Sequence, residues 1–191
     1  MSINKFALSL ALAGILGASS AVAETEGAFV GGYIAERGLK VEVESQQFRY
    51  INGSATTTGS KLGILGGYNR NISNDKRLGL RYYGAADIGD YTTNISANVD
   101  MLYTFVNNQT GEIRGFGGAW LGYTSYDGDV SGFDLGINIG ARFIFSKKHG
   151  VETYGHFGFL SQSKDESFLG VTTTTKYSQP YQIGIRYTYS F

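Results

Sequence analysis

Imidazole is the side chain that exchanges a proton near neutral pH, and this chain holds two, His149 and His156. Glu152 stands four positions before His156. On an extended strand the two share a face, but at about 3.3 Å per residue they lie roughly 13 Å apart. That is beyond the reach of a base and the group that orients it. His149 follows Ser146-Lys147-Lys148 in what reads as a periplasmic turn, remote from the outer leaflet where a lipid-modifying barrel enzyme would act. The chain contains no cysteine, which excludes a thiolate metal site, a catalytic thiol, a disulfide framework and a lipoprotein anchor. Gly115-Phe116-Gly117-Gly118 is no phosphate loop, because such a fingerprint opens a helix after a strand, and here a strand pattern continues. No catalytic or metal constellation emerges, no cofactor is implied, and the chain reads as a non-enzyme.

The chemistry that the sequence does carry is a set of charges at alternating positions. Arg81, Arg142 and Arg186 stand on the polar side of alternating runs, as do Asp87, Asp100, Asp134 and Glu152. Arg114 makes the count four to four if it shares that side, although the phase of its segment is open. If Asp90-Tyr91 centres a tight hairpin, residues whose numbers sum to about 181 lie opposite one another, which sets Arg81 against Asp100. Across the turn Ser146 to Gly150, the same reasoning sets Arg142 opposite or diagonal to Glu152. Neither carboxylate has another basic neighbour on its own strand face, so each arginine is its expected partner.

The elements that position these charges are strands. Phe133, Leu135, Ile137, Ile139, Ala141, Phe143 and Phe145 alternate with Asp134, Gly136, Asn138, Gly140 and Arg142. Ile95, Ala97, Val99, Met101, Tyr103 and Phe105 alternate with Ser96, Asn98, Asp100 and Thr104. Tyr181, Ile183, Ile185, Tyr187, Tyr189 and Phe191 form a third apolar face, and Leu78, Leu80, Tyr82, Ala86 and Ile88 a fourth. No charge interrupts any of them. Soluble half-buried sheets alternate too, but these faces are long and carry aromatic residues toward their ends, as the girdles of a membrane barrel do. The opposite faces, rich in glycine, asparagine, serine and paired charge, suit a lumen.

Composition agrees. With 28 Gly, 14 Tyr and 12 Phe against one Pro, and 42% hydrophobic but only 17% charged residues, neither disorder nor a soluble helical bundle fits. Sixteen basic and sixteen acidic residues remove the electrostatic case for nucleic acid. Residues 1–23 read as a cleaved signal peptide: Lys5, an apolar run from Phe6 to Leu16, then small residues to Ala21-Val22-Ala23. The fold class predicted for residues 24–191 is all-β, an antiparallel transmembrane β-barrel in the outer membrane of a Gram-negative bacterium.

Strands are expected at about 28–38, 59–70, 77–88, 93–106, 113–125, 132–146, 151–161 and 176–191. Short polar turns at Asn71–Lys76, Asn107–Glu112 and Ser146–Gly150 suit the periplasmic side. Residues 39–58 and 162–175 read as long outer loops. Eight strands is the count; ten is the alternative, because Leu39, Val41 and Val43 alternate with Lys40, Glu42 and Glu44 and could extend the first strand or form another. Pro180 falls at the start of the final strand, where it breaks no central ladder bond. The ending Ile185, Tyr187, Tyr189, Phe191 reads as an assembly signal for the barrel assembly machinery.

Gly79-Leu80-Arg81-Tyr82-Tyr83-Gly84, Asp100-Met101-Leu102-Tyr103-Thr104-Phe105 and Gly115-Phe116-Gly117-Gly118 resemble the Helicobacter outer membrane protein family, the Hop-related porins and adhesins. His149-Gly150-Val151-Glu152 and Gly27-Ala28-Phe29-Val30-Gly31 are similar to it as well. The resemblance implies a barrel in the outer membrane. Larger members insert an extracellular region with cysteine pairs, which is missing here, so adhesin activity does not carry over. The expected role is structural or surface-interacting, with outer-membrane lipid around the barrel, a host or surface ligand at the loops, and a lumen plugged by paired charges. A narrow porin-like channel for ions or small solutes is the alternative.

Overall fold

The computed structural model describes residues 26–45, 52–108, 111–126, 130–168 and 171–191; the expected signal peptide lies outside the described residues. Among the described residues nine strands form in chain order. They are β1 (Gly27–Ser45), β2 (Gly53–Asn71), β3 (Leu78–Gly89), β4 (Thr92–Asn107), β5 (Glu112–Tyr126), β6 (Val130–Phe145), β7 (His149–Gly158), β8 (Ser161–Phe168) and β9 (Val171–Ser190). Each of β1 to β7 pairs antiparallel with its successor except that β7 pairs with β9, and β9 closes the ring on β1. Closure leaves the barrel wall no open edge, which is the condition for strands to cross lipid.

The wall has eight staves, because β7 and β8 are two segments of one. β7 pairs with β9 over Gln182–Tyr189, and β8 with the earlier part of the same strand, Val171–Ser178. The break falls at Phe159-Leu160, where the Phe159 amide donates to the Leu135 carbonyl at 2.9 Å and the Leu160 amide to Asp134 Oδ1 at 3.3 Å. The expected seventh strand thus ends three residues early. Its chain then runs on as a hairpin where a loop over 162–175 was expected.

The other expected long loop is corrected in the same way. β1 and β2 stay in register without interruption from Gly27↔Asn69 to Val43↔Gly53, so Leu39, Val41 and Val43 extend the first strand and no tenth stave is needed. Strings of threonine, Thr56–Thr58 and Thr172–Thr175, favour this, since β-branched side chains fit a pleated surface. Crossing a membrane takes only about 9–11 residues of tilted strand. β1 and β2, at 19 residues each, and β9, at 20, therefore overshoot. The order β2-β1-β9-β8 makes a four-stranded wall rising beyond the barrel on one side. Gly53 to Thr58 of β2 are exposed on both faces, so this wall has no apolar core there.

Pro180 sits inside β9 rather than at its start. Around it the β1 ladder slips between Gly38↔Tyr181 and Lys40↔Ser178, and the partner on the other side changes from β8 to β7. A proline, lacking an N–H, is tolerated where the ladder is already broken.

Alternation sorts the side chains. Ile34, Val99, Phe133, Ile137 and Ile183 are 46–65% exposed, while Asp100, Asp134, Asn138 and Glu152 are no more than 2% exposed. The surface is apolar and the interior polar. That is the inverse of a soluble protein and the arrangement that a hydrocarbon solvent selects.

Candidate functional site

The interior holds the chemistry. Among the described residues, six cations (Arg37, Lys61, Arg81, Arg114, Arg142, Arg186) and five carboxylates (Asp87, Asp100, Glu112, Asp134, Glu152) are buried. The strand pattern pointed to all but Arg37, Lys61 and Glu112, and to four of each sign rather than six and five. Arg37 was missed because the first strand was expected to end beside it, and Lys61 because the strand holding it opens with small polar residues that show no alternation. Arg114 faces inward, and its Nε lies 2.5 Å from Glu112 Oε1.

Arg81 is the centre of the network. Hairpin register sets it directly opposite Asp100, and its Nη2 and Nε donate to Asp100 Oδ2 at 2.7 and 3.2 Å. Its Nη1 donates to Glu152 Oε1 at 2.5 Å. β3 and β7 stand four staves apart whichever way the ring is followed, so this contact spans the barrel's full diameter. Both side chains are 0% exposed. Aromatic rings fill the space around the guanidinium: Phe116, Tyr83 and Phe29 have centroids 4.6, 5.1 and 5.9 Å from its carbon.

Glu152 therefore differs from the expectation of one arginine partner. It lies in register with Arg142 on one side and Arg186 on the other, with Arg142 Nε at 3.5 Å and Arg186 Nη1 at 3.4 Å. Its shortest contact is nevertheless Arg81 from the far wall, a neighbour that strand-face reasoning cannot see. Arg186 lies 3.9 Å above the Tyr154 ring and donates to the Tyr83 hydroxyl at 3.1 Å. It also links the two residues first weighed as catalysts, since its Nη2 lies 3.4 Å from His156 Nε2. Arginine can only donate, so that nitrogen accepts. The imidazole stacks on Trp120 at 5.7 Å and meets the Tyr154 ring edge-on at 5.1 Å.

Asp87 and Asp134 lie toward the end that carries the raised wall. Asp87 accepts from Lys61 Nζ at 3.0 Å and from the Tyr33 hydroxyl at 2.6 Å. Asp134 is a correction to the expected ion network: its described partners are the backbone amides of Leu135 and Leu160, so it staples the β7–β8 break rather than pairing with a cation. Beyond the rim, the raised wall carries its own pairs, Lys40–Glu42 at 2.6 Å and Lys176–Glu44 at 2.9 Å. Lys40 holds the Glu42 carboxyl below its ordinary value, chiefly through the hydrogen bond between them. Such exposed pairs contribute little to stability.

Ile185, Tyr187 and Tyr189 share the outward face of β9, and Phe191 follows directly after its end. Tyr187 is hydrogen bonded to His149 Nδ1 at 2.7 Å, and Tyr189 meets Phe191 edge-on at 5.5 Å.

No family model matches the chain, and no curated protein does. Solved structures do. The outer membrane protein OprG from Pseudomonas aeruginosa superposes with a TM-score of 0.51 at 12% identity, over 88% of this chain and 98% of that one. Neisserial surface protein A gives 0.43 at 16% identity, over 87% and 100%. At such identity the likeness is one of fold. The chain has the fold of a small outer-membrane β-barrel.

Proposed function

We propose that this protein is an integral outer-membrane barrel of a Gram-negative bacterium that acts at its outer rim and does not conduct through its lumen. The observation that carries the reading is the Arg81–Glu152 contact across the full diameter, fully buried and flanked by Asp100, Arg142, Arg186 and four aromatic rings. Eight staves leave an interior that side chains just fill, and these side chains fill it with groups that attract one another. A lumen so closed offers no path for a solute. The β2-β1-β9-β8 wall is the feature that a structural scaffold would not require. Raised beyond the apolar belt, with the threonine-rich end of β2 exposed on both faces, it suits contact with a host or surface ligand.

The same reading includes export through the segment 1–23 and delivery by the barrel assembly machinery through the aromatic face ending at Phe191. It also takes the chain as a short relative of the Helicobacter outer membrane protein family. Planar-bilayer recording of the refolded protein tests the closed lumen. The expected record shows no discrete steps. Reproducible steps that Glu152→Ala widens would favour the narrow-channel alternative instead.

A further inference from the structure

The short-turn end of the barrel carries a cluster that the closed lumen does not use. Between β6 and β7 the Lys148 amide donates to the Phe145 carbonyl at 3.4 Å, and the two central residues, Ser146 and Lys147, have φ of 51° and 59°. Two left-handed residues in succession mark the turn type that asparagine and glycine fill at least cost. A serine and a lysine stand there instead, at a conformational penalty that side-chain-free glycine would avoid.

An aromatic platform lies beside them. The His149 ring stacks on Phe145 with centroids 5.2 Å apart and meets Tyr189 edge-on at 5.3 Å. Lys148 Nζ lies 5.6 Å over the Tyr189 ring and 3.5 Å from its hydroxyl. Lys147 is exposed. The nearby strand carboxylates, Glu112 and Glu152, are buried in the lumen on Arg114 and Arg81. The turn between β2 and β3 is a useful contrast: it too has a left-handed lysine, Lys76 at φ 56°. There, however, the Asp75 carboxylate sits in the turn and lies 4.0 Å from Arg77 Nε.

We propose that Lys147 and Lys148, with the ring face formed by Phe145, His149, Tyr187 and Tyr189, bind an anionic phospholipid of the periplasmic leaflet. The two ammonium groups take the headgroup phosphate at the level where short turns leave the membrane. The rings, continuous with the apolar belt, take the glycerol and upper acyl chain, as amphipathic aromatic residues do at such interfaces. Lys148 is positioned over Tyr189, and Lys147 is displayed by the strained turn. The proposal rests on the outer-membrane reading above, since it needs this end to lie at a leaflet.

Native mass spectrometry of the refolded full chain tests it, with dioleoylphosphatidylglycerol, dioleoylphosphatidylcholine or sodium phosphate added to the detergent. Folding is scored separately by the difference in gel mobility between heated and unheated samples. The folded protein should retain phosphatidylglycerol in preference to phosphatidylcholine and should not retain phosphate alone. Lys147→Gln with Lys148→Gln should weaken retention roughly 30-fold, whereas Lys76→Gln with Arg77→Gln should change it less than threefold. Lys147→Gly separates binding from turn structure: it should raise resistance to unfolding while still losing lipid. Equal retention of the two lipids, equal loss in the two double variants, or undiminished retention in Lys147→Gly overturns the lipid site. A chain that never shows the mobility shift or never enters bilayers overturns the barrel reading first, and the site with it.

Discussion

Arg81→Met is the sharpest perturbation of the lumen, because methionine keeps the apolar stem among Phe29, Tyr83 and Phe116 and removes only the guanidinium. Asp100 then loses its ion-pair partner, keeping a hydrogen bond from Asn138 Nδ2 at 2.9 Å. Glu152 keeps Arg142 and Arg186 at 3.5 and 3.4 Å. At an effective dielectric near 20, charges about 4 Å apart attract by about 4 kcal/mol, and burial costs several kcal/mol for each ion. Glu152, with two cations left, is close to compensated; Asp100 is not. Breaking a buried pair on one side costs about 3–5 kcal/mol, and that is the expected loss.

Arg81→Met with Asp100→Asn removes both ends and should recover about 1–3 kcal/mol of it, a coupling of the size that contacting residues show. Equilibrium urea unfolding in lipid vesicles measures both, read by gel mobility and by Trp120, the single tryptophan, which is buried in the lumen. A single variant within 1 kcal/mol of the parent, or a double variant whose loss equals the sum of the two singles, would refute the reasoning.

Ile137→Arg, on the lipid face at 46% exposure, should destabilise by about 2–4 kcal/mol if near the bilayer midplane; the same unfolding assay reads it. Gly118→Ala would set a methyl against the Val99 carbonyl and 2.5 Å from Asp100 Oδ1, with an expected loss of about 1–3 kcal/mol. Gly117→Ala, whose nearest neighbour would be 3.8 Å away, should be close to neutral in the same measurement. In the β2–β3 turn, a hydrogen bond from the Ser73 hydroxyl, then one from the Arg77 amide, holds the Asp75 carboxyl below its ordinary 3.8. A depressed carboxyl stabilises above the unfolded value and loses that as pH falls through the lower folded one. Exchange protection of the Arg77 amide should therefore persist at pH 4.5 and fade only below 3.8, and Asp75→Asn should abolish that pH dependence. Phe191→Ser should lower the amount of protein in outer-membrane fractions while export continues; equal abundance on fractionated gels would remove Phe191 from the assembly signal.

Period-two alternation was enough to read which face meets lipid in the four clearly alternating runs, because a strand has two faces and a residue's parity chooses between them. Hairpin register followed from turn centres, so Arg81 opposite Asp100 was legible from numbers alone: in antiparallel pairing one fixed point sets every other pair. The short turns and the count of eight staves came from the same local signals. Three things needed the closed barrel. Strand ends in threonine- and glycine-rich chain carry no alternation, so the raised wall and the β7–β8 break, which turned Asp134 into a backbone staple, emerged only when partners were present to pair with. The inward phase of Arg114 and the burial of Arg37, Lys61 and Glu112 depended on those partners too. The meeting of Arg81 with Glu152 depended on curvature. Residues 71 positions apart on opposite walls are brought together by ring closure, a global property that no spacing within the sequence encodes.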